Sequence, residues 1–233
     1  MKPLLAFLTA LAALSAQPLP QLRIEAVDAG SMLYIKNISA IPLTAFMLEL
    51  VDYPGSSFTF YRDEVTNGGI APGVEQKYRI TNMTVGAAPD YVKVQAAVYQ
   101  DGGSSGIPAK VALILSRRAT ELDITRELIQ RVEKDVSNKD ALMSVLKQSA
   151  DTKKLARGVK LNSPEGARQD AAFETISGAI RSLNEHSPQE TLQKLRDDEN
   201  KIAQSHPALP RQVIFYFIPS SALINRTFFD AWS

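Results

Sequence analysis

Apolar residues recur at every second position in the first half of the chain and at every third or fourth in the second half. Side chains of a strand point alternately to its two faces, whereas a helix repeats every 3.6 residues, so the change of period predicts strands followed by helices. In residues 32–36, Leu33 and Ile35 share one face, and Met32, Tyr34 and Lys36 the other. In residues 43–51, Phe46, Leu48 and Leu50 lie opposite Ala45, Met47 and Glu49. Asn37 and Ser39 between them are turn formers, and Pro42 suits the first residue of a strand. The pattern predicts a hairpin hinged at residues 37–42. Residues 22–26 and 58–62 are expected as further strands. Residues 74–82 place Tyr78 and Ile80 inward, with Glu75, Lys77 and Arg79 outward. Residues 91–99 place Val92, Val94, Ala96 and Val98 on one face, and Tyr91, Lys93, Gln95 and Tyr99 on the other. The segment 67–73 is dense in glycine and reads as a turn. Six short strands with no helical pattern between them predict an antiparallel sandwich over residues 17–106 and disfavour a parallel α/β sheet.

The Gly/Ser-rich stretch 101–106 closes that region, and residues 107–206 read as helical. Val111, Leu115, Leu122, Ile129, Val132 and Val136 occupy the apolar positions of a heptad, interrupted by Arg118 and Thr125. Two readings compete here. One is a single helix over about residues 108–137, with Pro108 at its first position. The other makes 111–115 a seventh strand and starts the helix at a capping box beginning with Thr120. The unbroken heptad favours the long helix. Helices are also expected over 139–156, burying Leu142, Val145 and Leu146, and after Ser163-Pro-Glu, with Phe173, Ile176, Ile180 and Leu183. A fourth follows Ser187-Pro-Gln-Glu, with Leu192, Leu195 and Ile202. Their apolar stripes are narrow, which suits helices packed on one another or on a partner. The fold class is therefore α+β: an N-terminal sandwich, a long helix and a small helical extension. In residues 207–233 six aromatics cluster, from Phe215 to Trp232. They are expected to cover a sheet edge or helix face of their own chain, a docking tail being the competing reading.

Composition narrows the function. Lys and Arg number 26 against 25 Asp and Glu. That balance lacks the one-signed footprint of a nucleic-acid binder. With no cysteine, disulfides, thiolate metal sites and a Cys nucleophile are excluded together. Residues 1–16 carry Lys2, an apolar run of about 11 residues and a small-residue end, which reads as an export signal too short to span a bilayer. A secreted or periplasmic location is expected, with no transmembrane span in the mature chain.

Candidate chemistry is sparse. His186 and His206 stand beside helix boundaries without a zinc-like spacing. No Gly-x-Ser-x-Gly elbow is present. Asp197, Asp198 and Glu199 are consecutive, so on a helix they diverge and read as a solvated face. Residues 67–73 lack the lysine of a phosphate loop. Asn37, Asn82 and Asn225 begin glycosylation triplets that arise readily by chance. No catalytic residue, metal site or cofactor is expected. The outward faces offer a mixed aromatic and basic surface if they adjoin: Tyr34, Lys36, Lys77, Arg79, Tyr91, Lys93 and Tyr99. Such a surface suits sugar stacking or the docking of a helix. The plainer expectation is that the chain's own helices cover it.

The run Leu33-Tyr-Ile-Lys-Asn-Ile-Ser, then Pro42-Leu-Thr-Ala-Phe, Gly69-Ile-Ala-Pro-Gly and Val94-Gln-Ala-Ala-Val-Tyr-Gln-Asp-Gly, resembles Ig-like sandwich domains of uncharacterised bacterial envelope proteins over residues 20–106. The resemblance implies binding or scaffolding and carries no catalytic residues. Two functions are expected: a non-enzymatic module whose helices mediate self-association or bind a protein partner, or a sandwich that binds carbohydrate through its outer aromatics.

Overall fold

The computed structural model describes residues 17–28, 30–51, 57–80, 91–154, 159–160 and 162–205. The export-signal segment 1–16, Asn82, His206, Asn225 and the aromatic segment 207–233 lie outside them. The described chain runs β1 (Gln21–Val27), β2 (Gly30–Lys36), β3 (Leu43–Val51), β4 (Ser57–Asp63), a 3-10 turn (Val65–Asn67), β5 (Glu75–Ile80), β6 (Tyr91–Tyr99) and β7 (Ser104–Gly106). Helices α1 (Pro108–Lys134), α2 (Lys139–Lys153), α3 (Pro164–Glu185) and α4 (Pro188–Gln204) follow. This is the expected α+β order, with one additional short strand.

The strands form two antiparallel sheets, β1-β2-β5 and β4-β3-β6-β7. Their inner faces enclose one core, with Leu33 and Ile35 from β2, Phe46 and Leu48 from β3, Tyr78 from β5 and Val94 from β6. The segments expected as a hairpin, β2 and β3, therefore do not pair. They lie in different sheets, which lets their two apolar faces bury against each other. Asn37 holds the crossing: its Nδ2 donates to the carbonyls of Ile41 and Ile70, each at 2.8 Å. The first residue of that glycosylation triplet is thus buried and bonded internally.

A bulge in β6 corrects the expected faces of 91–99. Met47 pairs with Ala96 and Leu48 with Val94, so Gln95 is an extra residue opposite β3. An extra residue reverses the alternation beyond it. Val92 and Val94 face the inter-sheet core, and past the bulge Ala97 and Tyr99 take that face. Ala96 and Val98 turn to the other side. The Gln95 carbonyl accepts from the Ile107 N–H at 2.8 Å, which leads the chain into α1.

α1 is the long helix, so residues 111–115 are not a strand. Its first half lays Val111 and Ile114 on Ala45, Met47, Ala96 and Val98, the outer face of the four-stranded sheet. Its second half joins Leu142 and Leu146 of α2, Ile176 and Leu183 of α3, and Leu195 of α4 in a helical core. Val145, expected inside α2, is exposed, and Ala150 is buried instead. Ser163 caps α3 and Ser187 opens a complete capping box on α4, as the sequence indicates. The narrow stripes are thus taken up within the chain. Among the described residues no helix is long and apolar enough to cross a membrane.

Gly106 sits where the bulge meets α1, at φ +102°, and a Cβ there would lie 2.3 Å from the Gln95 carbonyl oxygen and 2.8 Å from Ala96 Cα. Both obstacles are backbone. Gly106→Ala is expected to destabilise the protein by about 2–4 kcal/mol, read from denaturant midpoints; an unchanged midpoint contradicts this account of the junction.

Candidate functional site

β4 ends at Asp63, and the 3-10 turn that follows brings its carboxylate beneath α1. The two oxygens accept from Arg118 Nε at 2.5 Å and Nη2 at 2.9 Å, from the Tyr61 hydroxyl at 2.8 Å and from the Val65 N–H at 3.0 Å. Arg118 is fully buried. Burial pulls its pKa down, but the hydrogen bonds and charge of Asp63 outweigh that and leave it raised. Arg118 Nη1 has no hydrogen-bond partner among the described residues. The preceding residue, Arg117, reaches the other way, to the Asp170 carboxylate and the Ala167 carbonyl of α3. Its guanidinium lies 4.3 Å from the Tyr61 ring centre. Burial, then the Asp63 charge, holds the Tyr61 hydroxyl well above its ordinary pKa.

Beyond this junction a cleft of about 880 Å³ opens between the sandwich and the helices. One wall is residues 59–64 of β4 and the residue after it; α1, α3 and α4 supply the others. At the far end Val65 packs with Leu122 and Ile202, and Lys201 Nζ donates to the Thr66 carbonyl at 2.8 Å. The cleft is therefore a space between two fixed attachments. Carboxylates outnumber lysines and arginines on its walls, seven to four. Glu121 lies on this wall, one turn past Arg117 and Arg118. Burial first, then the Asp63 charge, raise its carboxyl to about 7 against the pull of Arg118.

Gly178, midway along α3, also faces the cleft. A Cβ there would meet only the tip of Arg181, at 3.9 Å. Glycine inside a helix is destabilising by up to about 1 kcal/mol relative to alanine. No close approach requires glycine at this position. What its missing side chain provides is room in the cleft.

The surface expected from the sequence is divided. Tyr34, Lys36, Lys77 and Arg79 share the outer face of β1-β2-β5, on which no described helix packs. There the Arg23 guanidinium lies 3.6 Å from the Tyr34 ring centre and Lys77 Nζ 5.4 Å from it, while the Tyr34 hydroxyl donates to Glu25 at 2.6 Å. Arg79 donates to the Asp28 carbonyl at 2.7 Å. Lys93 is in the other sheet, opposite Glu49. Tyr99, expected to point outward, is buried in the inter-sheet core because of the bulge, and its hydroxyl donates to the Pro18 carbonyl. Tyr91 begins β6, and its side chain lies outside the described residues. The sequence reading missed Tyr61, Asp63, Arg117, Glu121 and Asp170. The signal it registered was Arg118, a charge on an apolar heptad stripe. Among the described residues no three His, Asp or Glu side chains group as metal ligands.

Fold and cleft together define an α+β protein in which a two-sheet antiparallel sandwich carries a four-helix unit on one face. No family model, curated protein or solved structure matches the chain.

Removing one partner of a buried ion pair strands the other charge. Asp63→Leu and Arg118→Met are each expected to cost about 3–5 kcal/mol, and the double variant far less than their sum. A double-mutant cycle by urea denaturation reads the coupling; additive losses overturn the pairing argument. For Glu121 the sign follows from the raised pKa. The folded state keeps this proton up to about pH 7, whereas the unfolded chain releases it near 4.5. Its contribution to stability therefore falls as pH rises from 4.5 to 7 and is flat above. Glu121→Gln is expected to match the wild type at pH 4.5 and exceed it at pH 8 by about 1–3 kcal/mol. Equal stability profiles across that range contradict the assignment.

Proposed function

We propose that this chain is an exported, non-enzymatic binding protein whose sandwich is Ig-like and which holds a protein partner in the cleft between sandwich and helices. The observation that carries the reading is Gly178, a helix-interior glycine on the cleft wall whose missing side chain has no packing reason. The strand order, with β1, β2 and β5 facing β4-β3-β6-β7, supports the Ig-like assignment. Export rests on the character of residues 1–16. The helical stripes favour a partner over self-association, since they are already buried against one another and against the sheet. The outer aromatic and basic face gives less support to carbohydrate stacking, because the Tyr34 ring is already occupied by Arg23.

A photo-cross-linking residue placed at Gly178 in the full chain, with one at Lys77 on the opposite sheet as control, tests this in envelope extract of the producing organism. The expected result is a discrete protein adduct at position 178 only, competed by unlabelled wild type and lost in Gly178→Trp. No adduct, or the same adduct from both positions, overturns the proposal. Gly178→Ala without the cross-linker should gain about 0.5–1 kcal/mol of stability, and a wild-type-like urea midpoint for Gly178→Trp itself separates loss of partner from loss of fold.

A further inference from the structure

We infer that the partner enters the cleft as an extended peptide, adding to β4 as a new edge strand and carrying Lys or Arg at alternate positions. This rests on the cleft being the binding site. β4 is the outermost strand of its sheet. The Glu64 N–H donates to the Thr44 carbonyl at 2.7 Å, and Arg62, Phe60 and Phe58 face Phe46, Leu48 and Leu50 in phase with that bond. In an antiparallel ladder, residues bonded to the partner strand alternate with residues whose N–H and C=O point the opposite way. Thr59, Tyr61 and Asp63 therefore direct their backbone groups to the free edge, and all three line the cleft. No described strand pairs with that edge.

An unpaired edge is a template for another strand. β4 carries no proline or lysine to block pairing. Instead, α3 forms the opposite wall of the cleft. With a helix facing the edge and carboxylates outnumbering basic side chains on the walls, the occupant assigned is a single extended basic chain and not the edge of a second copy's sheet. Seven residues of β4 extend for about 23 Å at roughly 3.3 Å each, so the peptide segment is about six or seven residues long.

Charge specifies its side chains. Glu174 and Glu185 line the α3 wall, exposed and without a hydrogen bond or ion pair among the described residues. Side chains on the helix-facing side of an added strand recur at every second residue. Those are the positions where Lys or Arg meets carboxylates that the protein leaves unpaired.

The probe is a displayed random heptapeptide library selected against the full chain. Selected peptides are then synthesised with and without N-methylation of alternate backbone amides. The expected peptides carry Lys or Arg at every second position and lose binding at least tenfold in Gly178→Trp. They also lose it tenfold or more when the pairing amides are methylated, and they slow hydrogen exchange at the Thr59 and Tyr61 amides. A library that yields no binder, or binders indifferent to Gly178→Trp, overturns the inference. Binders blocked by Gly178→Trp but indifferent to methylation, leaving the β4 amides in fast exchange, overturn strand addition and leave the cleft as the binding site. Selection of acidic peptides overturns the charge assignment.

Discussion

A guanidinium with no access to water has to be met by a counter-ion in a fixed place, and Arg118 meets Asp63. The pair joins the last residue of β4 to the end of α1's sheet-facing half. Tyr61 and the Val65 N–H converge on the same carboxylate, so the end of β4, the turn after it and the helix share one anchor. Apolar contact alone between Val111, Ile114 and the sheet does not fix rotation or sliding of α1, because such contacts are non-directional. Two hydrogen bonds from one planar group to one carboxylate are directional. The contribution of the pair is registry more than energy, since two well-packed apolar side chains serve a buried site at least as well in stability alone. Once α1 is placed, α3 and α4 are placed by the helical core, and the cleft is what remains between them and β4.

The strands at 22–26, 58–62 and 75–80, the caps at Ser163 and Ser187, and the heptad of α1 from Val111 to Val132 were legible, because each depends on residues close in sequence. What failed was long-range. Alternation gives each segment an apolar face but not which segment it opposes, so β2 and β3 read as a hairpin although they face each other from separate sheets. The Gln95 bulge is a second case. One unpaired residue reverses every face beyond it, and its bonded neighbours there, Gly106 opposite Ala96 and the Ile107 N–H on the Gln95 carbonyl, lie far from local pattern signals. That single reversal moved Tyr99 from an expected binding surface into the core.

The cleft was less legible than the fold for the same reason. Its walls come from β4, α1, α3 and α4, and no local motif binds Asp63, Arg117, Glu121 and Asp170 together. Two residues did carry a signal. Arg118 is a charge on an otherwise apolar stripe, which requires either exposure or a buried acid; the sequence alone does not name the acid. Gly178 interrupts a helical run without ending it, and only coordinates distinguish a glycine demanded by close packing from one that leaves space.

The two polar surfaces of the molecule differ in how much of their bonding capacity is already used. On the β1-β2-β5 face, Arg23 lies over Tyr34, Tyr34 donates to Glu25, and Arg79 donates to the Asp28 carbonyl. A ligand landing there has to displace partners the protein supplies for itself. In the cleft, Glu174 and Glu185 lack a hydrogen-bond or ion-pair partner among the described residues, and no described strand pairs with the free edge of β4. On the proposed reading, a peptide that brings both backbone bonds and positive charge meets groups that the protein does not itself pair, and replaces their water rather than a protein partner. On that reading the cleft, not the aromatic face, is where a ligand has fewer internal partners to displace.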